Sequence, residues 1–257
     1  MIPVALSIAG SDPSGGAGIQ ADLKTFHQHG VYGCAVVTLL TVQNTRGVTR
    51  MDVLDAALVG AQLAAVLDDI PPGAVKTGAL GSAAVVEAIA TRLATSSVPL
   101  VVDPVLAATH GGALLDADGC RALVARLLPR AALVTPNLAE AAALSGRAVV
   151  SEADAREAAR AIADLGARAV LVKGGHLEGD AVDTFYVDGH FERLVAPRVA
   201  TRHTHGVGCA LSAAITALLA RGVPLIDACA RAKQWVSAAI AAAPGLGGGA
   251  GPIDHGA

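Results

Sequence analysis

Aromatic residues are nearly missing from this chain: one Trp, two Tyr and three Phe among 257 residues. Basic runs are missing too, and the formal net charge is −3. Nucleic acid is held through a positive footprint, often with aromatic stacking platforms, so this composition speaks against a nucleic-acid partner. The four cysteines, Cys34, Cys120, Cys209 and Cys229, contain no C-x-x-C spacing, which excludes the usual zinc and disulfide frameworks. Most of them are expected to be small core residues. Apolar runs are broken every few residues by Gly, Pro or a charge, and none reaches the roughly 18–20 residues of a membrane span. The opening "MIPVALSIAGSDPSGG" enters a strand-like run at once, without the basic start and long apolar region of a signal peptide. A cytoplasmic protein with no membrane partner is the expectation.

What is present is apolar: 53% hydrophobic against 16% charged, enough for a sizeable core. Short runs rich in Val, Leu and Ile ("VALSIAG", "AVVTLLTVQNT", "GAVKTGALG", "PLVVDPVLA", "AALVTPN", "AVLVKGG") alternate with segments of helical spacing such as "LDAALVGAQLAAVLDDI". That alternation predicts an α/β fold whose parallel sheet is covered on both faces. No linker or internal repeat divides the chain, so residues 1–257 are expected to form a single domain. "DTFYVDGHFERLVAPR" predicts an antiparallel hairpin turning at Asp188-Gly189. The Gly-rich end, about residues 244–257, is expected to be irregular.

In a parallel sheet the C-terminal strand ends converge on one edge, where α/β folds place their ligands. Here those ends read Ser11-Asp12, Gln43-Asn44, Lys76-Thr77, Asp103, Thr135-Pro136-Asn137 and Lys173-Gly174-Gly175-His176. Two lysines among acids and amides suit an anionic substrate together with a divalent cation. The chain has only four lysines against fifteen arginines, and two of the four directly follow apolar strands. The plain alternative is that Lys76 and Lys173 snorkel out of their strand ends.

Two phosphate motifs fail. "GSDPSGG" and "GAVKTGA" lack the lysine of a P-loop, and "HGVGCALS" lies C-terminal and lacks the third glycine of a dinucleotide fingerprint. "HGVGCALSAAI" does offer backbone N–H groups at a helix start, where the dipole favours an oxyanion and the thiolate form of Cys209. In "TPNLAEAAAL", Asn137 and Glu140 fit a capping box, or outer-sphere holders of Mg²⁺; on spacing alone the box is preferred. In "AGSDPSGGAGIQADLKT", Asp12 and Asp22 bracket a glycine turn, as substrate ligands or as turn caps. Gln43 carries both donor and acceptor, which suits a heteroaromatic ring bearing an amino group.

These stretches together, with "KTGALGS", "VVDPV", "VLVKGGHLEGDAVD" and "GPIDH", resemble the hydroxymethylpyrimidine/phosphomethylpyrimidine kinases of thiamine biosynthesis, of the ribokinase-like superfamily, over essentially the whole chain. The resemblance implies a ribokinase-like three-layer α/β/α fold with a central, mostly parallel sheet. It also implies ATP-dependent phosphorylation of 4-amino-5-hydroxymethyl-2-methylpyrimidine and then of its monophosphate, with Mg²⁺, in a homodimer. By the same resemblance Gln43 would bind the ring, with Asp22, Ala17 and the backbone at Gly10 positioning it. Cys209 would be the base toward the substrate hydroxyl, where sugar kinases of the superfamily use Asp. The amides of Gly206, Val207 and Gly208 would form the anion hole. Lys173 would neutralise the ATP phosphates, with Thr135 and His205 also at the nucleotide, and Asp103, Asn137 and Glu140 would organise Mg²⁺ through water. A cysteine in place of a fixed carboxylate would also spare a monophosphate substrate from repulsion.

The family usually reads N-T-H-G-T-G-C-T, where this chain has His203, Val207 and Ala210 at the first, fifth and last places. Val207 keeps its amide, whereas Ala210 removes a hydroxyl near the helix start, which bears on nucleotide affinity. Leu106 and His110 replace a common Met and Ser at the site's edge and bear on substrate preference. Three rivals stand beside this reading: a pyridoxal/pyridoxine kinase of vitamin B6 salvage, a non-catalytic pyrimidine-binding regulator, and a sugar or nucleoside kinase. The intact "QNT" and "SDPSGGAGIQADLKT" favour the aminopyrimidine. Lys173, Asp103, Glu140 and Cys209 together favour an enzyme, and a sugar kinase would be expected to carry Asp at 209.

Overall fold

The computed structural model describes residues 2–107, 112–175 and 179–257; His110 and His176 lie outside these. In chain order the elements are β1 (Val4–Ser11), α1 (Gly18–Gln28), β2 (Tyr32–Asn44), β3 (Gly47–Val53), α2 (Ala56–Asp69), β4 (Ala74–Thr77), α3 (Ala83–Leu93), β5 (Leu100–Val102) and α4 (Ala117–Ala122). Then follow β6 (Leu133–Val134), α5 (Leu138–Ser145), α6 (Glu152–Asp164), β7 (Ala169–Val172), β8 (Ala181–Val187), β9 (His190–Ala196), α7 (Val207–Ala220) and α8 (Leu225–Ala241).

Among the described residues nine strands join one sheet in the order β3-β2-β1-β4-β5-β6-β7-β8-β9. The six from β2 to β7 in that order run parallel, and β3, β8 and β9 are antiparallel at the edges. The expected mostly parallel sheet is therefore present. Its central strands are short and buried throughout, as both-face coverage requires. Leu6, Ile8, Val75 and Val102 pack on one side against Val59, Leu63, Ile89 and Ile162 of α2, α3 and α6. On the other side Val101 and Leu171 meet Leu211 and Ile215 of α7, while Ala5 and Phe26 meet Ala213 and Ala217. The result is three layers, α/β/α.

From β1 the chain steps to β2 on one side and later to β4 on the other. Such a reversal opens a crevice beyond the strand ends, because successive connections leave in opposite directions. The β8–β9 hairpin turns at Asp188 and Gly189, both left-handed (φ 48° and 84°), with Val187 paired to His190 across a two-residue loop. A second hairpin, β2–β3, was not expected, since "NTRG" carries no Asn-Gly or Asp-Gly signal. Beyond its pairing with β1, β2 runs on against β3 alone. Leu39, Thr41 and Gln43 face the crevice, while Leu40 and Val42 alternate outward and are about half exposed.

The C-terminal segment contains neither helix nor strand, yet it is packed. Ile253 is buried in the core under α7 and α8. Asp254 N–H donates to Ala239 O (3.0 Å), and Gly249 N–H donates to Thr45 Oγ1 (3.2 Å). His205 N–H donates to Gly251 O (3.0 Å). The glycines let the tail cross the β2–β3 turn closely and bind it to the segment before α7.

Candidate active site

A cleft of about 620 Å³ follows the C-terminal edge of the sheet. Gly10, Ala17, Gln43, Asp103, Asn137, Glu140, Lys173, His205, Gly206, Val207, Gly208 and Cys209 all line it, so one place gathers twelve of the fourteen residues expected at the site.

The start of α7 closes the middle of the cleft. Gly206, its N-cap, is left-handed (φ 79°), and a Cβ there would stand 1.8 Å from Gly16 O. Only glycine lets this turn press against the β1–α1 loop. A Cβ on Gly208 would lie 3.2 Å from Lys173 Nζ, so the helix start comes close beneath that ammonium. First-turn N–H groups have no intrahelical acceptor and carry the positive end of the dipole. Val207 N–H is directed at Thr204 O (3.4 Å), which occupies one of the three expected amides. The Cys209 amide, one residue further on, belongs to the same turn.

Lys173 Nζ donates to Asp103 Oδ1 at 2.9 Å and stands 3.9 Å from Glu140 Oε2. Burial alone would lower the Lys173 pKa, but these two carboxylates overcome it and hold the ammonium charged. Burial likewise pushes against Asp103, yet Lys173 and Lys76 keep its carboxyl below the usual range. Thr135 does not line the cleft. It is fully buried, and its Oγ1 donates to Asp103 Oδ1 (3.1 Å), so it braces a site residue from behind. Ser212 Oγ donates to the other oxygen of Asp103 (3.2 Å).

Asn137 and Glu140 do form the capping box: Glu140 N–H donates to Asn137 Oδ1 (2.9 Å), and Asn137 N–H donates to Glu140 Oε2 (2.7 Å). Burial, with Asp103 adding and Lys173 opposing, pushes Glu140 up to about 7. Among the described residues no group of three or more His, Cys, Asp or Glu side chains could hold a metal by itself. Two adjacent carboxylates, one of them short of positive charge, do fit a hard divalent cation that takes its other ligands from phosphate and water.

Asp22 does not line the cleft. It is fully buried beneath the floor, where both its oxygens accept from Lys76 Nζ at 2.8 Å and Oδ2 also accepts from Ser7 Oγ at 2.5 Å. Lys76, also fully buried, does not snorkel. The thiolate expected for Cys209 is corrected as well. Burial, with Asp22 and Asp103 adding and Lys76 and the Gly18 N–H opposing, pushes the thiol up to about 11. At neutral pH Cys209 is therefore a neutral thiol.

His205 stands with Gln43 rather than with Lys173. Its Nε2 is 2.8 Å from Asp12 Oδ2 and 3.4 Å from the Gln43 amide. Asp12 takes the turn-capping role the glycine loop left open to it, accepting from Ser14 N–H (2.8 Å) and Ala17 N–H (2.9 Å). One site feature had no local sequence signal: the Lys233–Asp183 ion pair (2.9 Å) on the cleft wall, whose partners come from α8 and β8. Asp183 also accepts from Gly174 N–H (3.0 Å), tying this wall to the end of β7.

The family model for phosphomethylpyrimidine kinase matches residues 12–254. The hydroxymethylpyrimidine/phosphomethylpyrimidine kinase of Rhizobium meliloti is 53% identical, over 99% of this chain and 97% of the relative. Among solved structures, an ADP complex of Bacillus subtilis pyridoxal kinase superposes with a TM-score of 0.92 at 38% identity, covering 99% of this chain and 98% of the other. Phosphomethylpyrimidine kinase from Clostridium difficile 630 does so with 0.82 at 39% identity, covering 93% and 99%. The fold is ribokinase-like, and the chain belongs to the phosphomethylpyrimidine kinase family.

Proposed function

We infer that this protein is an ATP-dependent kinase that phosphorylates the hydroxymethyl group of 4-amino-5-hydroxymethyl-2-methylpyrimidine, and then the resulting monophosphate, for thiamine diphosphate synthesis. The observation that carries this reading is the gathering of Gln43, Cys209, the α7 start and Lys173 in one cleft of a chain of this family. The Gln43 amide pairs with the ring nitrogen and amino group, with the Gly10 backbone and Ala17 beside it. The hydroxymethyl group is then directed to Cys209. Phosphoryl transfer asks little covalent chemistry of the protein and much positioning and charge stabilisation. The amides of Gly206, Gly208 and Cys209 receive the phosphoryl oxygens, and Lys173 offsets their charge; each preorganised donor of this kind contributes on the order of 10²–10³ in rate. Asp103 and Glu140, and more remotely Asn137, would hold Mg²⁺, which would supply positive charge against the nucleotide phosphates. Beyond Lys173 the cleft continues between Val199, Val236 and Ile240, which offers an apolar slot for the nucleoside. That the Bacillus subtilis neighbour is an ADP complex supports nucleotide binding by this fold.

Cys209 takes the hydroxyl proton only as thiolate, so a thiol pushed up to about 11 makes turnover rise with pH. The outward Leu40 and Val42 support a homodimer joined through the β2–β3 face, which sedimentation velocity tests. A second reading, pyridoxal phosphorylation, is favoured by the close superposition on solved pyridoxal kinases. Mg²⁺-dependent ATP consumption, measured in parallel with hydroxymethylpyrimidine, its monophosphate and pyridoxal, decides between them. Turnover of both pyrimidines, lost in Cys209→Ala, is expected. Turnover of pyridoxal alone moves the assignment to that vitamin, and pyrimidine binding without turnover makes the chain a binding protein.

A further inference from the structure

We infer that His205, held by Asp12, is a positioning residue that fixes which way the Gln43 amide faces and thereby selects the hydrogen-bonding edge of the acceptor ring. The inference rests on the reading of Gln43 as the ring-binding residue. It follows from counting protons. Asp12 is almost wholly buried, and its two oxygens accept from Ser14 N–H, Ser14 Oγ (2.8 and 2.9 Å) and Ala17 N–H. A carboxyl group that already accepts from two backbone N–H groups and a hydroxyl is ionised. His205 Nε2, 2.8 Å from Asp12 Oδ2, must then carry a proton and donate.

A nitrogen that donates cannot also accept from an amide NH₂ 3.4 Å away. The other end of the Gln43 amide lies 3.1 Å from Thr41 Oγ1, whose single proton is taken by Ser11 O at 2.9 Å. The two ends of a side-chain amide are told apart by their partners. Exchanging the amide oxygen and nitrogen, which otherwise stand toward Thr41 Oγ1 and His205 Nε2 respectively, is the one arrangement without opposed donors. The Gln43 carbonyl then faces the positive edge of His205 Nε2–H, whose proton is given mainly to Asp12, and its NH₂ faces the lone pair of Thr41. One acceptor and one donor of Gln43 then remain for the cleft in a set order. That order matches a ring nitrogen beside an exocyclic amino group. It opposes the inverted edge, a ring N–H beside a carbonyl, because the hydroxymethyl group must still point to Cys209 and the ring cannot turn over.

The imidazole is itself wedged in place. A Cβ on Gly16 would fall 2.5 Å from His205 Cδ2 and 3.1 Å from Pro252 Cβ, so loop, ring and tail meet there. The His205 backbone N–H is tied to Gly251 O as well.

The test compares kcat/KM for the amino substrate with that for its 4-oxo counterpart, in wild type, His205→Ala, His205→Gln and the isosteric Thr41→Val. Wild type should prefer the amino ring by on the order of 10- to 100-fold, the discrimination of one bidentate amide pair. His205→Ala should reduce that ratio to within about threefold by letting the amide turn, with the KM for ATP unchanged. His205→Gln, which still offers an N–H to Asp12 and Gln43, should recover most of it. Thr41→Val, which removes the other partner and leaves His205 untouched, should lower the ratio if His205→Ala does not fold. A ratio preserved in whichever of these variants folds overturns the inference. So does a rise in the KM for ATP without a change in ratio, which would place His205 at the nucleotide. Wild type that turns over neither pyrimidine overturns the kinase reading instead.

Discussion

Replacing Glu140 by Gln should stabilise the protein, and increasingly so as the pH rises. Glu140 is 7% exposed, and burial beside Asp103 raises its pKa from 4.5 to about 7 in spite of Lys173. A carboxyl group whose folded pKa lies above its unfolded one favours the fold fully below about 4.5, and that contribution is lost as pH rises through about 7. At full strength this displacement is about 3 kcal/mol, of which roughly 2–3 kcal/mol develops between pH 5 and pH 8. Gln keeps the cap, because its Oε1 can accept the same Asn137 N–H that Glu140 accepts at 2.7 Å. The two proteins therefore differ mainly in one ionisation, and other titrating groups cancel in the comparison. Urea unfolding of both at pH 5, 6, 7 and 8, without nucleotide or divalent cation, should show a gap widening by roughly 2–3 kcal/mol in favour of the variant. Mg²⁺ with a non-hydrolysable nucleotide should narrow the gap again, since a cation makes the ionised form favourable. Two stability curves that run parallel from pH 5 to 8 would refute the reasoning, for then Glu140 would titrate alike folded and unfolded.

Lys76→Met leaves Asp22 as an uncompensated buried carboxylate and should lower stability by about 3–5 kcal/mol in urea unfolding. Adding Asp22→Asn should restore most of that loss, and a double variant as unstable as the single one would show that the pair is not the cause. For catalysis, kcat should climb about tenfold per pH unit between pH 7 and 9 as the Cys209 thiolate fraction grows. Cys209→Asp should flatten that profile and depress phosphorylation of the monophosphate more than that of the alcohol. Equal loss of the two steps would remove the charge argument for cysteine at this position.

The sheet was legible because its information is local. Runs such as "AVLV" at β7 are apolar at every position, which only a strand covered on both faces requires. The two-residue turn at Asp188-Gly189 was legible because few residues tolerate two successive left-handed conformations. The β2–β3 hairpin was not. Its turn, Thr45-Arg46, follows no strong chemical preference, and part of its support comes from the tail some 200 residues away, through Gly249 N–H to Thr45 Oγ1. The tail's own packing was hidden for the same reason: a glycine-rich composition says that the backbone can turn, not what it turns against.

At the site, which residues meet was legible, whereas their charges were not, and Cys209 shows why. The pattern "HGVG" before Cys209 correctly places the thiol in the first turn of α7. From that position alone the helix dipole favours the thiolate, by about 0.3–1 kcal/mol and at most about 2. The folded protein encloses the same thiol near Asp22 and Asp103, which come from α1 and from the end of β5, and its pKa moves from 9.0 to about 11. Two units are about 3 kcal/mol in the opposite sense, so desolvation and distant carboxylates outweigh the local field. Lys76, beneath the floor, opposes them, but both oxygens of Asp22 already claim its ammonium at 2.8 Å. The charge that a nearby helix start promises to Cys209 is thus withheld first by burial and then by carboxylates 106 and 187 positions away in sequence, none of which the local pattern around Cys209 records.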